Sequence, residues 1–174
     1  MGAEEERAGS ALRAFRTAFG LEASLAWIYR AAADVTRDRE AEEVLRTLAR
    51  AEEAHARRLV RAYPGLADGL GSDAELDSWS ESRVRAAFIP ELKVTSPADL
   101  LVAAYRIEIG GLEFYQRWAE EADEQATRVL ATDLAQQEVA HAQRLERLYR
   151  DTVGGFIGSL EEATQPLRWP ELGE

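Results

Sequence analysis

The two histidines of this chain each follow a glutamate by three residues, as Glu52–His55 and Glu138–His141. Side chains three residues apart lie on the same face of an α-helix, so a carboxylate and an imidazole in this spacing can share one metal ion. Carboxylate together with imidazole suits iron or manganese, and the absence of cysteine argues against a structural zinc site. A single pair of this kind is a weak signal, because surface helices carry many glutamates.

The two pairs belong to an internal repeat with a period of 86 residues. The repeat relates residues 12–63 to residues 98–149, and the match is densest where residues 48–63 align with 134–149. It aligns four pairs of chemically interesting residues: Glu22/Glu108, Tyr29/Tyr115, Glu52/Glu138 and His55/His141. Chance identities would not readily place both histidines in register, so we interpret each half as one helical hairpin.

Apolar residues recur every three or four positions through four segments, which is the period of an α-helix. We predict helices over residues 4–33, 38–63, 97–122 and 125–153. Short polar connections within each hairpin make its two helices antiparallel neighbours, and a long crossover joins the hairpins. The sequence therefore predicts an all-α fold, an antiparallel four-helix bundle. We expect the bundle domain to span residues 1–158, with a short helix and a tail over 159–174.

Each predicted helix carries one glutamate where its apolar stripe calls for a hydrophobic residue. Burying an unpaired carboxylate costs at least several kcal/mol, and four carboxylates close together would repel one another. Protons, basic partners or metal ions must neutralise such a cluster, and two divalent cations would balance four carboxylates. We predict a two-metal site, which is also the catalytic centre, with these ligands: Glu22, Glu52, His55, Glu108, Glu138 and His141.

Two further features surround this predicted site. Tyr29 and Tyr115 each follow a lone glutamate by seven residues; that is about 10.5 Å along a helix, too far for an easy contact with it. If the first and third helices are antiparallel, each tyrosine can instead hydrogen-bond the glutamate of the opposite helix. The pair Gly110-Gly111 interrupts a helix interior, where each glycine costs about 1 kcal/mol relative to alanine. It indicates close helix packing, a local bulge, or space beside the metals.

Composition and charge restrict the partners of the chain. Hydrophobic residues make up 46% and charged residues 30%, which is ordinary for a soluble globular protein. The net charge of −11 disfavours binding to nucleic acid or to an anionic membrane. We find no apolar signal core at the N-terminus and no apolar stretch of membrane-spanning length, so a cytoplasmic location is the expectation.

The order Glu-x6-Tyr, Glu-x2-His, repeated once over about residues 10–153, resembles the rubrerythrin branch of the ferritin-like superfamily. The resemblance implies a ferritin-like bundle with two iron ions, although manganese or zinc would also suit the ligands. It implies that Glu52 and Glu138 bridge the ions, that Glu22 and Glu108 are terminal ligands, and that each histidine binds one ion. The implied activity is reduction of hydrogen peroxide or dioxygen, or oxidation of ferrous iron, often by a homodimer.

The sequence departs from that family in two ways. The four cysteines of the usual rubredoxin domain are missing, so a peroxidase would need an external electron donor protein. Many members of that family carry an additional carboxylate ligand on the third helix. It is missing here, because the residues three positions before and after Glu108 are Tyr105 and Gly111. A simpler six-ligand ferroxidase-like site is therefore an alternative. Two further alternatives are an iron-handling or storage protein with a ferroxidase site, and a helical bundle whose metal is structural and not redox-active.

Overall fold

The computed structural model describes residues 3–63 and 97–153, and these residues form a bundle of four helices. The all-α prediction is confirmed. The helices are α1 (Ala3–Val35), α2 (Arg39–Ala62), α3 (Pro97–Glu121) and α4 (Gln125–Val153). Each predicted boundary agrees within two residues. The predicted crossover over 64–96, and the predicted short helix and tail with the domain boundary at 158, lie outside the described residues.

Local interactions fix the ends of the helices near the two short connections. Asp38 caps α2, because its Oδ1 accepts the backbone N–H groups of Glu40 and Ala41 at 2.8 and 3.2 Å. Beyond the end of α3, the guanidinium of Arg128 donates to the carbonyl of Ala122 at 2.6 Å and to that of Asp123 at 3.1 Å. These bonds satisfy polar backbone groups that a helix end leaves without partners, so both hairpins turn tightly.

The helices pack as two hairpins laid side by side. α1 packs along α2 and α3 along α4, while α1 also contacts α3 more closely than α2 contacts α4. An aromatic cluster stabilises the bundle away from the polar centre: Phe15 stacks on Tyr63 and meets Trp118 edge to face, each at 4.9 Å between ring centroids. No helix in the two described ranges combines the length and apolar character needed to cross a membrane.

Candidate metal centre

All six predicted ligands lie together in the interior of the bundle. The four glutamates are fully buried, and His55 and His141 are 2% and 5% exposed. Potential ligand atoms form two groups, and within each group they all lie within 4.8 Å of one another. One group, here called the His55 group, contains Glu22, Glu52, His55 and Glu138. The other, the His141 group, contains Glu52, Glu108 and His141.

Glu52 lies between the two groups and presents one oxygen to each histidine. Its Oε2 is 3.0 Å from Nδ1 of His55, and its Oε1 is 2.6 Å from Nδ1 of His141. The two imidazole rings face each other with centroids 5.5 Å apart and planes only 13° apart. This geometry suits a carboxylate that bridges two ions. Glu138 contributes to the His55 group alone, so its bridging role stays a prediction from the resemblance.

Several buried polar atoms at this centre make no hydrogen bond to the described residues. They are Oε2 of Glu108, both carboxyl oxygens of Glu138, and the pair Oε1 of Glu52 and Nδ1 of His141, which lie 2.6 Å apart without the geometry of a hydrogen bond. A buried polar atom without a partner costs about 1–3 kcal/mol, and more where it is charged, so native proteins rarely retain several in one place. Oxygen and imidazole nitrogen atoms are ligands for divalent iron or manganese, and a pair of such cations would satisfy these atoms. The residues present therefore fit a two-metal centre.

The two tyrosines cross between α1 and α3. The hydroxyl of Tyr29 donates to Oε1 of Glu108, and the hydroxyl of Tyr115 donates to Oε1 of Glu22. This is the pairing that antiparallel first and third helices predict. Burial and the neighbouring carboxylates raise the pKa of both tyrosines well above the usual value, so both hydroxyls remain protonated donors. Tyr115 thus holds one oxygen of Glu22 and leaves the other facing His55, whereas the Glu108 oxygen that Tyr29 holds is also the one 3.7 Å from Nδ1 of His141.

Without metal, Glu22 and His55 form a buried ion pair. Burial alone would raise the pKa of Glu22, but hydrogen bonds with His55 and Glu52 and the charge of His55 outweigh burial and lower it. Burial also opposes a charge on His55, yet its contacts with Glu22 and Glu52 raise its pKa to about 11. At neutral pH a carboxylate therefore lies beside an imidazolium, with Nδ1 of His55 3.1 Å from Oε2 of Glu22.

The surroundings of the other four ligands favour their neutral forms in the metal-free protein. Burial, followed by the charge of Glu22, raises the pKa of Glu52 well above the usual value. Burial and the charge of Glu108 do the same for Glu138, and burial and the charge of Glu52 raise the pKa of Glu108 to about 8. Burial lowers the pKa of His141. Protons on these three carboxylic acids therefore reduce the negative charge of the metal-free centre.

Sequence reasoning did not identify Gln137, although it touches a predicted ligand. Oε1 of Gln137 lies 2.7 Å from Nε2 of His55, on the side of the ring that faces away from the glutamates. A search guided by the repeat passes over this position, because the residue 86 positions earlier is Ala51. The only signal in the sequence is a polar residue directly before Glu138.

Gly111 lies where α1 and α3 approach each other next to the centre. A Cβ atom at this position would lie 3.1 Å from Cδ2 of Leu21 and 3.4 Å from Oε2 of Glu138. The first distance is tighter than most real Cβ contacts, and Leu21 is buried. The structure therefore favours close packing as the reason for this glycine, with the carboxylate of Glu138 filling the space beside it.

We expect Gly111→Ala to weaken metal binding severalfold while changing the free energy of unfolding of the metal-free protein by less than about 1 kcal/mol. The gain in helix propensity of roughly 0.5–1 kcal/mol offsets the strain against Leu21, whereas the new methyl group crowds the Glu138 carboxylate. Calorimetric metal titration and denaturant unfolding measure the two effects. Gly110→Ala is the control for helix propensity, and an equal loss of metal affinity in both variants would contradict this explanation.

Comparison with known proteins agrees with the geometry. The rubrerythrin family model matches residues 99–167, which include nearly all of α3 and all of α4. No curated protein and no solved structure gave a match. The internal repeat relates the first hairpin to the matched one, and both hairpins direct their glutamates and histidines to the same centre. The second hairpin therefore matches the rubrerythrin family, and the four helices form a bundle of the ferritin-like kind.

Proposed function

We propose that this protein is a di-iron carboxylate oxidoreductase that reduces hydrogen peroxide or dioxygen, or oxidises ferrous iron with them. The observation that carries the proposal is a pair of buried ligand groups that share Glu52 and contain carboxylate oxygens without hydrogen-bond partners. The family match supports iron in preference to manganese or zinc. The His55 group would hold one ion and the His141 group the other.

The chain itself supplies binding, orientation and exclusion of water. A pair of iron ions supplies one electron from each ion for the reduction of an oxygen–oxygen bond. The buried carboxylates and imidazoles would hold the ions in a site from which the surrounding apolar residues exclude bulk water. Tyr29 and Tyr115 keep the terminal glutamates in place through their hydroxyl groups.

Continuous turnover as a peroxidase would draw its electrons from outside the residues of this bundle. The 174 residues contain no cysteine and therefore no rubredoxin-type iron site. We propose that a separate reductase supplies the electrons between turnovers.

The reaction can be tested with protein that holds two ferrous ions per chain under anaerobic conditions. We expect one hydrogen peroxide to oxidise both ferrous ions, because its reduction to two waters takes two electrons. Ferrous iron remaining after each addition can be measured with a chelating dye, and zinc-loaded protein should consume no peroxide. Two bound irons that react with neither peroxide nor dioxygen would contradict the proposal and favour a structural site. Continued uptake far beyond two irons per chain would indicate storage instead.

A further inference from the structure

The two halves of the centre differ in what holds the outer nitrogen of each histidine. The repeat supplies both halves with the same ligands, but Gln137 in α4 corresponds to Ala51 in α2. Gln137 contacts Nε2 of His55 at 2.7 Å. The alanine at the equivalent position of the other half has no side-chain polar atom. The internal symmetry is therefore broken at a residue that touches a predicted ligand.

A chain of hydrogen bonds sets the orientation of the Gln137 amide. Its Nε2 donates to Oδ2 of Asp133 at 3.1 Å, and Arg58 donates to the same oxygen at 2.5 Å. A carboxylate only accepts hydrogen bonds, so the amide nitrogen faces Asp133 and the amide oxygen faces His55. This network links α2 to α4, the helix pair that packs less closely than α1 and α3.

The amide oxygen in turn fixes the histidine. Because Oε1 of Gln137 can only accept, Nε2 of His55 must carry a hydrogen and donate it. In the neutral ring, Nδ1 is then the nitrogen with the free lone pair, and Nδ1 is the atom that faces Glu22 and Glu52. Loss of the Nδ1 proton of the His55 imidazolium on metal binding would therefore leave the ring in the orientation and tautomer that coordination needs.

The two ligand groups also differ in size, and the larger group is the one whose histidine Gln137 contacts. The His55 group brings together four residues, whereas the His141 group brings together three. We propose that Gln137 is a positioning residue that makes the His55 position the tighter of the two ion sites, so that it fills first. This inference rests on the proposed metal binding but not on any redox activity.

Zinc titration of the metal-free full chain, followed by NMR of nitrogen-15-labelled histidine, tests the order directly. The chain has only two histidines, so each half of the centre has its own signals, and these distinguish the two neutral ring forms. We expect the first zinc equivalent to change the His55 signals and the second to change those of His141. His55 should hold its hydrogen on Nε2 in the loaded protein.

Gln137→Leu should weaken zinc binding at the His55 position about tenfold or more, in line with the effect of removing an outer partner of a metal ligand. The filling order should be lost, and the ring signals should show that the Nε2–H form is no longer enforced. Gln136→Leu, at the exposed neighbouring position, is the matched control and should keep the wild-type order.

Simultaneous filling of both positions in the wild type, or filling of the His141 position first, would overturn the inference without the use of any variant. So would a Gln137→Leu protein that keeps the order and affinity of the wild type. Two bound zinc ions in the wrong order would leave the proposed function intact, whereas a chain that binds no divalent ion would overturn both.

Discussion

Glu52→Gln will abolish the binding of two metal ions. The metal affinity should fall at both positions by more than the 10–100-fold that is typical when a hydrogen-bond partner of a metal ligand is removed. Glu52 is the residue common to both ligand groups, and its two oxygens face different histidines. Glutamine keeps the size of the side chain but provides neither the charge nor the second carboxylate oxygen. Calorimetry and direct metal analysis of the variant measure the loss.

The variant should fold normally without metal, which separates ligand loss from unfolding. The raised pKa of Glu52 favours a neutral side chain in the metal-free protein, so a neutral amide changes little. We expect the free energy of unfolding to change by no more than about 1 kcal/mol. The matched control is Glu53→Gln, which removes a partly exposed carboxylate paired with Arg30. If Glu52→Gln bound two ions as the wild type does, the shared-ligand account would be wrong.

The metal-free protein will lose stability as the pH rises from about 5 to 8. Glu52 and Glu138 have folded pKa values well above the usual 4.5, and Glu108 has a pKa of about 8. In this window the folded chain keeps protons that the unfolded chain releases, so the free energy of unfolding falls with pH. Each group that stays fully protonated contributes about 1.4 kcal/mol per pH unit. His55, whose pKa rises from 6.5 to about 11, acts in the same direction above pH 6.5.

Two groups have a lowered pKa and so act in the opposite direction, but they do not reverse the fall of stability with pH. The lowered pKa of Glu22 contributes stability that is lost only as the pH falls below about 4.5, outside the window. The lowered pKa of His141 favours the folded state as the pH rises towards 6.5, and it is one group against three carboxylic acids. Denaturant unfolding of the metal-free protein at several pH values measures the sum. A steady rise in stability from pH 5 to 8 would contradict the protonation states assigned here.

Metal loading should reverse this pH dependence, because an ion must displace the protons of its ligands. The raised pKa values of Glu52, Glu138, Glu108 and His55 favour the protonated forms of these ligands. We therefore expect protons to be released when divalent ions bind, and the affinity to increase with pH. A weakly buffered titration with a pH indicator counts them. If almost no protons were released, the ions would be binding elsewhere.

The helices and the six clustered residues could be predicted because their signals are local or repeated. The apolar period determines each helix, and Asp38 and Pro97 mark helix starts by their residue types. The repeat selects Glu22 and Glu108 from among the many glutamates of the chain. The crossing of Tyr29 and Tyr115 followed from the antiparallel arrangement of their helices.

The features that break the repeat could not be predicted in the same way. Gln137 contacts His55 only because α2 and α4 lie side by side, and no spacing within one helix reveals that contact. The sequence also left three explanations for Gly111 open, and the approach of Leu21 favours one of them. Asymmetry between the halves depends on packing between helices, which single-helix periodicity does not describe.

Crystals of iron-loaded protein, measured on both sides of the iron absorption edge, would locate the bound metal ions. We expect two anomalous peaks per chain. One should lie among Glu22, Glu52, His55 and Glu138, and the other should lie among Glu52, Glu108 and His141. Iron peaks confined to surface carboxylates, or no peak between these side chains in fully loaded protein, would contradict this expectation.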